Sequence, residues 1–428
     1  MRPRDDTLKD AFLAYLKAAL RVTREHAEGH GLPSTSCSTP RRDRDGKVTF
    51  ETVDKLEPFA LWDQVHGDVE GLKELDNLRL GIAASEHSNS LLCNADGKVI
   101  QDTAARRELV DEWARQALVE YIGDDGLLTF DARRARKVYD QFVRFAEHKQ
   151  IRYSVSALLG NFAGPEGNTA IGGGVTLRPL NDAELEHLWT VAQRGGMFSW
   201  HDAFSVSHCL TRGCNISKGA LVELGNTEER LEKAVVALRL HKAGHVKIMA
   251  TMHLPVRPAF GQAWPMMSTR AHAVVPGPRY TLGNDEGSQV AAIHSALCTA
   301  RPDERTRLAL GRFNTAYEKA DPGDRLIDYW IALEALFLTD GERGELSYRA
   351  SMRIAYFLGT AETREQLSRD ARQSYNTRSD IVHGKECKDV LRIAAETEDV
   401  VRRILQLCVA SRKAPNARVL DSRIAHGS

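Results

Sequence analysis

From Asp303 to the end of the chain, apolar residues recur at helical spacing almost without interruption. That restricts this part of the protein to a bundle of α-helices. Leu308, Phe313 and Tyr317 mark one helix, and Asp321-Pro-Gly-Asp324 reads as a turn. Leu326 to Leu338 is strongly apolar and must be buried, Leu346 to Leu358 follows and ends at Gly359, and Val390 to Val409 forms a last long helix. The tail after Ser411 is basic and polar and is expected to fray. The natural architecture is a set of antiparallel helices, roughly four or five of them. One residue breaks the pattern: Glu334 stands amid Ile331, Ala332, Leu333, Ala335, Leu336 and Phe337. A carboxylate there needs a partner or a shifted pKa. Arg349 or Arg353 on the next helix is the expected cation, in an ion pair that fixes helix register.

Upstream the pattern is mixed. Thr7 to His26 reads as an amphipathic helix, with Phe12, Tyr15, Leu16 and Ala19 on one face. Gly31 to Pro40 and the charged run Arg41 to Lys47 read as loop or linker, and Val48 to Val53 as a short strand. Thr103 to Ile122 and Asp131 to His148 are helical. At about Ile151 the period changes to two, as in a strand. Gly172-Gly-Gly174 punctuates a second β-like stretch. Asn181 opens a helix with Leu185, Leu188 and Trp189, and Asn226 or Thr227 opens another that ends at a Gly244 cap. His245 to His253 alternates as a strand does, and Pro255 to Pro278 reads as loop with one strand at most. A chain of 428 residues exceeds one typical domain. The expected fold is multidomain and mainly α. It divides into an α-rich region over 1–149, a mixed α+β region over 150–300 that senses or binds something, and a helical bundle over 301–428.

The formal net charge is zero, so no global field draws the protein to nucleic acid, and any RNA contact needs a local basic patch. Seven cysteines, odd in number and thinly spread, do not form a secreted disulfide framework. The N-terminus shows no secretory apolar segment, and no apolar run reaches the length of about 20 residues that spans a bilayer. The expected setting is a reducing cytoplasm, with no membrane partner.

Chemistry concentrates in Tyr375-Asn-Thr-Arg-Ser-Asp-Ile-Val-His-Gly384. His383 can move a proton near neutral pH, and Arg378 can hold a phosphate with a planar fork of donors. Spacing alone says little, because Arg21 and His26 repeat it. On a regular helix, residues five apart are offset by about 140°, so the pair shares a face only if the helix ends or kinks nearby. Gly384 is a plausible cap for such an end.

The context of this segment carries more. It follows Leu326-Ile-Asp-Tyr-Trp-Ile-Ala-Leu-Glu-Ala-Leu-Phe337, and the combination resembles the HEPN family of all-helical domains, in its Apea-like branch. Asp328, Glu334, Arg349 or Arg353, Tyr375, Arg378, Ser379, His383 and Gly384 carry the resemblance, which covers roughly the last 125 residues. Ala237 to Gly244 and Arg178 to Glu184 extend it faintly upstream. The resemblance implies an endoribonuclease that needs neither metal nor cofactor, in phage defence or stress response. It implies a homodimer joined through the bundle, with two copies of Arg378 and His383 facing each other across a two-fold cleft. Ser379, Asp380, Lys385 and Glu334 would support the pair. RNA cleavage through the 2′-OH would leave a 2′,3′-cyclic phosphate and a 5′-OH. Lys385 occupies a position that holds tyrosine in the toxin branch, which argues against control by modification of that tyrosine. The alternative is a noncatalytic dimeric sensor or scaffold that binds RNA or nucleotide.

Other candidates are weaker. His201, His208, Cys209 and Cys214 suggest zinc, but no second cysteine pair follows at a usual interval. The glycine triplet lacks the Gly-Lys-Ser/Thr of a phosphate loop and reads as a turn. Cys387 lies near His383 in sequence without a visible activating partner. Trp200-His-Asp202 and Ser205-Val-Ser-His208 hold triad residue types without triad geometry.

Overall fold

The computed structural model describes residues 6–42, 48–56, 58–85, 88–92, 98–123, 125–148, 150–182, 184–185, 188, 206–217, 221–256, 266–269, 277–299, 302–339 and 344–426. The N-terminal region holds α1 (Asp6–His30), a hairpin of β1 (Ser34–Arg42) and β2 (Val48–Leu56), then α2 (Pro58–Glu70), α3 (Lys73–Ala84), the short α4 (Ser88–Leu91), α5 (Thr103–Ile122) and α6 (Ala132–Glu147). The hairpin corrects the expectation of a loop before Lys47. Its strand contains Pro40, and the polar Ser/Thr run resembles turn composition, yet β1 pairs with β2 from Ser34↔Leu56 to Arg42↔Val48. Phe12 of α1 stacks on Phe142 of α6 at 5.4 Å, and Asp102 and Asp131 cap α5 and α6.

The middle region is built on an antiparallel sheet of order β5-β6-β7-β3-β8-β9. Its strands are β3 (Gln150–Gly160), β5 (Thr169–Gly172), β6 (Val175–Pro179), β7 (His208–Ser217), β8 (Lys247–Pro255) and β9 (Met266–Thr269); β4 (Phe162–Ala163) and β10 (Tyr280–Thr281) form a separate parallel pair. Side chains alternate as the pleat requires. Ala157, Leu159 and Leu210 join the main core, while Leu158, Cys209 and Met249 join a smaller cluster with Leu180, Leu185 and Leu188. The main-core face is covered by α7 (Gly225–His241), against which α8 (Gly287–Thr299) packs. Asn181 and Glu184 make a reciprocal capping box, Asn181 Oδ1 accepting from Glu184 N–H at 2.9 Å and Glu184 Oε2 from Asn181 N–H at 3.1 Å. Trp189 and His201 lie outside the described residues.

Gly244 is not the cap of α7; Lys242 is. Gly244 has φ +140°, and a Cβ there would sit 2.8 Å from the Tyr280 backbone, so the position requires glycine for both reasons.

The bundle comprises α9 (Glu304–Ala316), α10 (Pro322–Phe337), α11 (Leu346–Leu358), α12 (Arg364–Val382), α13 (Val390–Ser411) and α14 (Ala417–His426). Two expectations change here. Asp321-Pro-Gly-Asp324 is a helix start, with Asp321 as N-cap accepting from Asp324 N–H at 3.0 Å and Pro322 in the first turn. As far as His426 the tail is a helix and not a frayed end: α14 docks on α11, where the buried Arg353 grips Asp421 with Nε and Nη2, both at 2.8 Å. No described helix is long and apolar enough to cross a membrane.

The expected boundary near residue 301 is crossed by one continuous core, and by a buried polar seam. Arg239 of α7 donates to Val246 O (3.0 Å), Asn314 Oδ1 and Glu318 Oε1 (3.2 Å), and its guanidinium lies 4.5 Å from the Tyr317 ring centre. Arg402 of α13 donates to the Arg239 carbonyl at 2.9 Å and to Glu398. Glu398 also accepts from Tyr317 Oη at 2.8 Å and Tyr329 Oη at 3.0 Å. Every member of this seam is bonded, as buried charge demands.

Candidate functional site

The helix that carries Arg378 is thinly anchored. Of α12, only Ser374 and Thr377 are buried, while Ala371, Tyr375 and Ile381 rest against the core. It runs antiparallel to α10: Gly323 lies beside Ile381 at one end, and Leu333 and Leu367 line one cavity at the other. Two polar contacts set its rotation. Trp330 Nε1 donates to Ser374 Oγ at 2.8 Å, and Ser374 Oγ meets Thr397 Oγ1 at 2.6 Å. The Tyr375 ring stands edge-on to Trp330 at 4.9 Å.

This frame places Arg378 against Glu334. Side chains on a helix lean toward its N-terminus. The Arg378 guanidinium accordingly lies 5.9 Å from the Tyr375 ring centre, and its Nη2 comes to 3.5 Å from Glu334 Oε2. The pair is partly open to solvent, with 21% and 26% of the two side chains exposed. Burial raises the Glu334 carboxyl above its ordinary range, and the charge of Arg378 opposes that only in part. Burial also raises the Tyr375 phenol, with Glu334 adding to it and Arg378 opposing. Arg378 Nε is shielded from solvent and has no hydrogen-bond partner. The cation expected for Glu334 on the next helix is therefore replaced by Arg378. Arg353 instead donates to Asp421 of α14 and to the Phe337 carbonyl. Asp328 is buried and accepts from Arg312 at 3.2 Å, tying α10 to α9.

His383 ends α12 on a Schellman motif. Gly384 takes φ +73°, its N–H bonds Ile381 O at 2.9 Å, and Lys385 N–H bonds Asp380 O at 2.9 Å. His383 N–H bonds Ser379 O at 3.1 Å, so the backbone under the imidazole is fully tied down while the ring is exposed. Asp380 and Lys385 pair with each other at 2.7 Å, which occupies both groups within the cap. Arg378 and His383 are not joined by a hydrogen bond among the described residues. The guanidinium leans back toward Glu334 while the imidazole marks the opposite end of the segment.

Of the other candidates, His208 is buried between Ser207 Oγ (2.8 Å) and Pro165 O (3.1 Å), and no group of three metal-ligating side chains occurs among the described residues. Cys387 approaches the carbonyls of Thr377 and Lys385, at 3.8 and 3.7 Å. The Gly172-Gly173-Gly174 turn has positive φ at all three positions and joins β5 to β6. The polar seam at Arg239, Glu398 and Arg402 escaped the sequence reading. A trace was there only for Arg239, which stands between apolar residues in Leu238-Arg239-Leu240, whereas Glu398 lies in the polar run Glu396-Thr-Glu-Asp399. Comparison with known proteins finds no family model that matches the chain, no matching curated protein and no matching solved structure.

Proposed function

We propose that the chain is a metal-independent RNA endonuclease of HEPN type that works as a homodimer through its C-terminal bundle. The observation that carries this reading is the exposed His383 on a rigid cap, five positions after an arginine held from one side only. Neutral His383 takes the proton of a ribose 2′-OH as the 2′-oxygen bonds to phosphorus, and the bond to the 5′-oxygen breaks. An imidazolium protonates the leaving 5′-oxygen. Proton transfer of this kind contributes typically ~10²–10⁴ in rate. Arg378 stabilises the extra charge on the phosphorane. To do so it leaves Glu334, whose carboxyl is held by burial above its ordinary range against the opposing charge of Arg378.

One observation favours a second reading, a dimeric module that binds RNA without cutting it: Arg378 already has a carboxylate partner. Incubating RNA in EDTA with the wild type, His383→Ala and Arg378→Ala, then mapping the ends, separates the two. Cyclic phosphate ends that vanish in both variants support the nuclease. Binding without any cleavage by the wild type selects the module.

A further inference from the structure

A polar cleft of about 640 Å³ opens in the middle region between β7, the first turns of α7 and the end of α8, far in sequence from Arg378. Ligand sites typically enclose about 300–1,000 Å³. Arg212, Arg230 and Lys233 bring three positive charges to its wall, against the two carboxylates of Glu223 and Glu229. The carboxylates are already engaged. Glu229 pairs with Lys233 at 2.7 Å, and Glu223 accepts from Ser217 N–H at 3.0 Å. Neither Arg212 nor Arg230 forms an ion pair among the described residues.

Arg212 is aimed rather than loose. Its Nε donates to the Gly173 carbonyl at 3.1 Å and its Nη1 reaches Thr227 Oγ1 at 3.4 Å. The glycine turn that fixes it cannot be built from other residues at low cost. Gly173 has φ +60°, and a Cβ there would lie 3.2 Å from His294 Cε1. His294 is itself buried and held to Ile171 O at 3.0 Å. The triplet thus gives a rigid platform that holds one guanidinium at the cleft wall. Asn215, Asn226 and Thr227 add amide and hydroxyl groups suited to a polar organic body.

We propose that this cleft binds a phosphorylated small molecule of nucleotide size, with its phosphate between Arg212 and Arg230. A phosphate takes two arginines through charge-assisted forks, and the volume left over accommodates a nucleoside-sized group. The site is independent of the nuclease reading.

Two free thiols, Cys214 and Cys298, line the cleft and report on its occupancy. The full-length protein is titrated calorimetrically with ADP and with inorganic pyrophosphate, and site-resolved alkylation of both thiols is followed by mass spectrometry. The expected result is ADP binding that slows alkylation of Cys214 and Cys298 at least fivefold but leaves Cys387 unchanged. Tenfold or greater loss of ADP affinity is expected in Arg230→Gln, an exposed position whose replacement leaves the fold intact, and in Arg212→Gln. Pyrophosphate binding as tightly as ADP, with the same dependence on Arg230, would overturn the nucleotide-sized ligand in favour of free phosphate. Absence of binding by both at millimolar concentration, or ADP binding unaffected by Arg230→Gln, would overturn the site itself.

Discussion

Replacing Glu398 by alanine is expected to unfold the seam between the middle region and the bundle. Glu398 accepts from Tyr317, Tyr329 and Arg402, and all three donors are buried. Without it, Arg402 keeps only Asp399 at 3.1 Å as a charged partner, and that carboxylate is more than half exposed. Removing one side of a buried ion pair costs about 3–5 kcal/mol, because the other charge stays behind in a dry site. The stranded tyrosine hydroxyls add to the loss, so the figure is a lower range. The double variant Glu398→Met/Arg402→Met removes both charges and is expected to recover the part of the loss that comes from the stranded guanidinium, since buried pairs replaced by apolar residues of similar volume are often neutral. The two tyrosine hydroxyls stay unpaired in it. Urea unfolding followed by circular dichroism measures these two variants and the singles Glu398→Met and Arg402→Met, and the cycle of the methionine variants isolates the coupling. A loss below about 1 kcal/mol in Glu398→Ala, or a double variant no more stable than the single one, would refute the argument that this network is desolvated and fully used.

The same seam predicts a pH dependence. Burial holds His245 below its ordinary range, and Arg325, Arg239 and Arg402 push it the same way against Glu398. The folded chain therefore binds fewer protons than the unfolded chain below pH ~6.5, and stability falls as the pH drops from there, by at most about 1.4 kcal/mol per pH unit for this one group. His245→Gln should flatten the slope of stability against pH between about 5 and 6.5, and an unchanged slope would remove His245 from the account. Glu334→Gln should release Arg378 and raise kcat/KM for RNA by up to about tenfold, or about 1.4 kcal/mol. A fall of more than tenfold would instead make Glu334 a positioning residue for the guanidinium. Gly244→Ala should cost about 2–5 kcal/mol from left-handed strain and the Tyr280 clash, read as a lowered urea midpoint. A change within 0.5 kcal/mol, the usual range for neutral sites, would deny that constraint.

Long-period patterns were legible in the sequence wherever burial dominates. Leu346–Leu358 is a helix at the expected bounds, and the strand at Ile151 and the long helix at Val390 begin where the period or the apolar run begins. Short-range chemistry was less legible. The Ser/Thr/Pro run of β1 has turn composition, and only pairing with β2, which is non-local, makes it a strand. Asp321-Pro-Gly-Asp324 carries turn residues that serve equally as an N-cap and a first turn. The end of α12 at Gly384 was legible because positive φ leaves few alternatives to glycine. Partners were not. The sequence pointed to the next helix for the partner of Glu334, but Arg353 there is taken by Asp421 of α14, and Arg378 of α12 pairs with Glu334 instead. The cleft at Arg212 and Arg230 was illegible for the same reason, since its walls come from β7, α7 and α8.

The central claim is that Arg378 and His383 cut RNA by transesterification. Its most direct measurement is the chemistry of the ends formed when the full-length protein meets RNA in the presence of EDTA. The account predicts 2′,3′-cyclic phosphate and 5′-OH ends from the wild type, with the rate reduced about 10²–10⁴-fold in His383→Ala. Ends bearing a 3′-OH and a 5′-phosphate, or equal cleavage by wild type and His383→Ala, would contradict it.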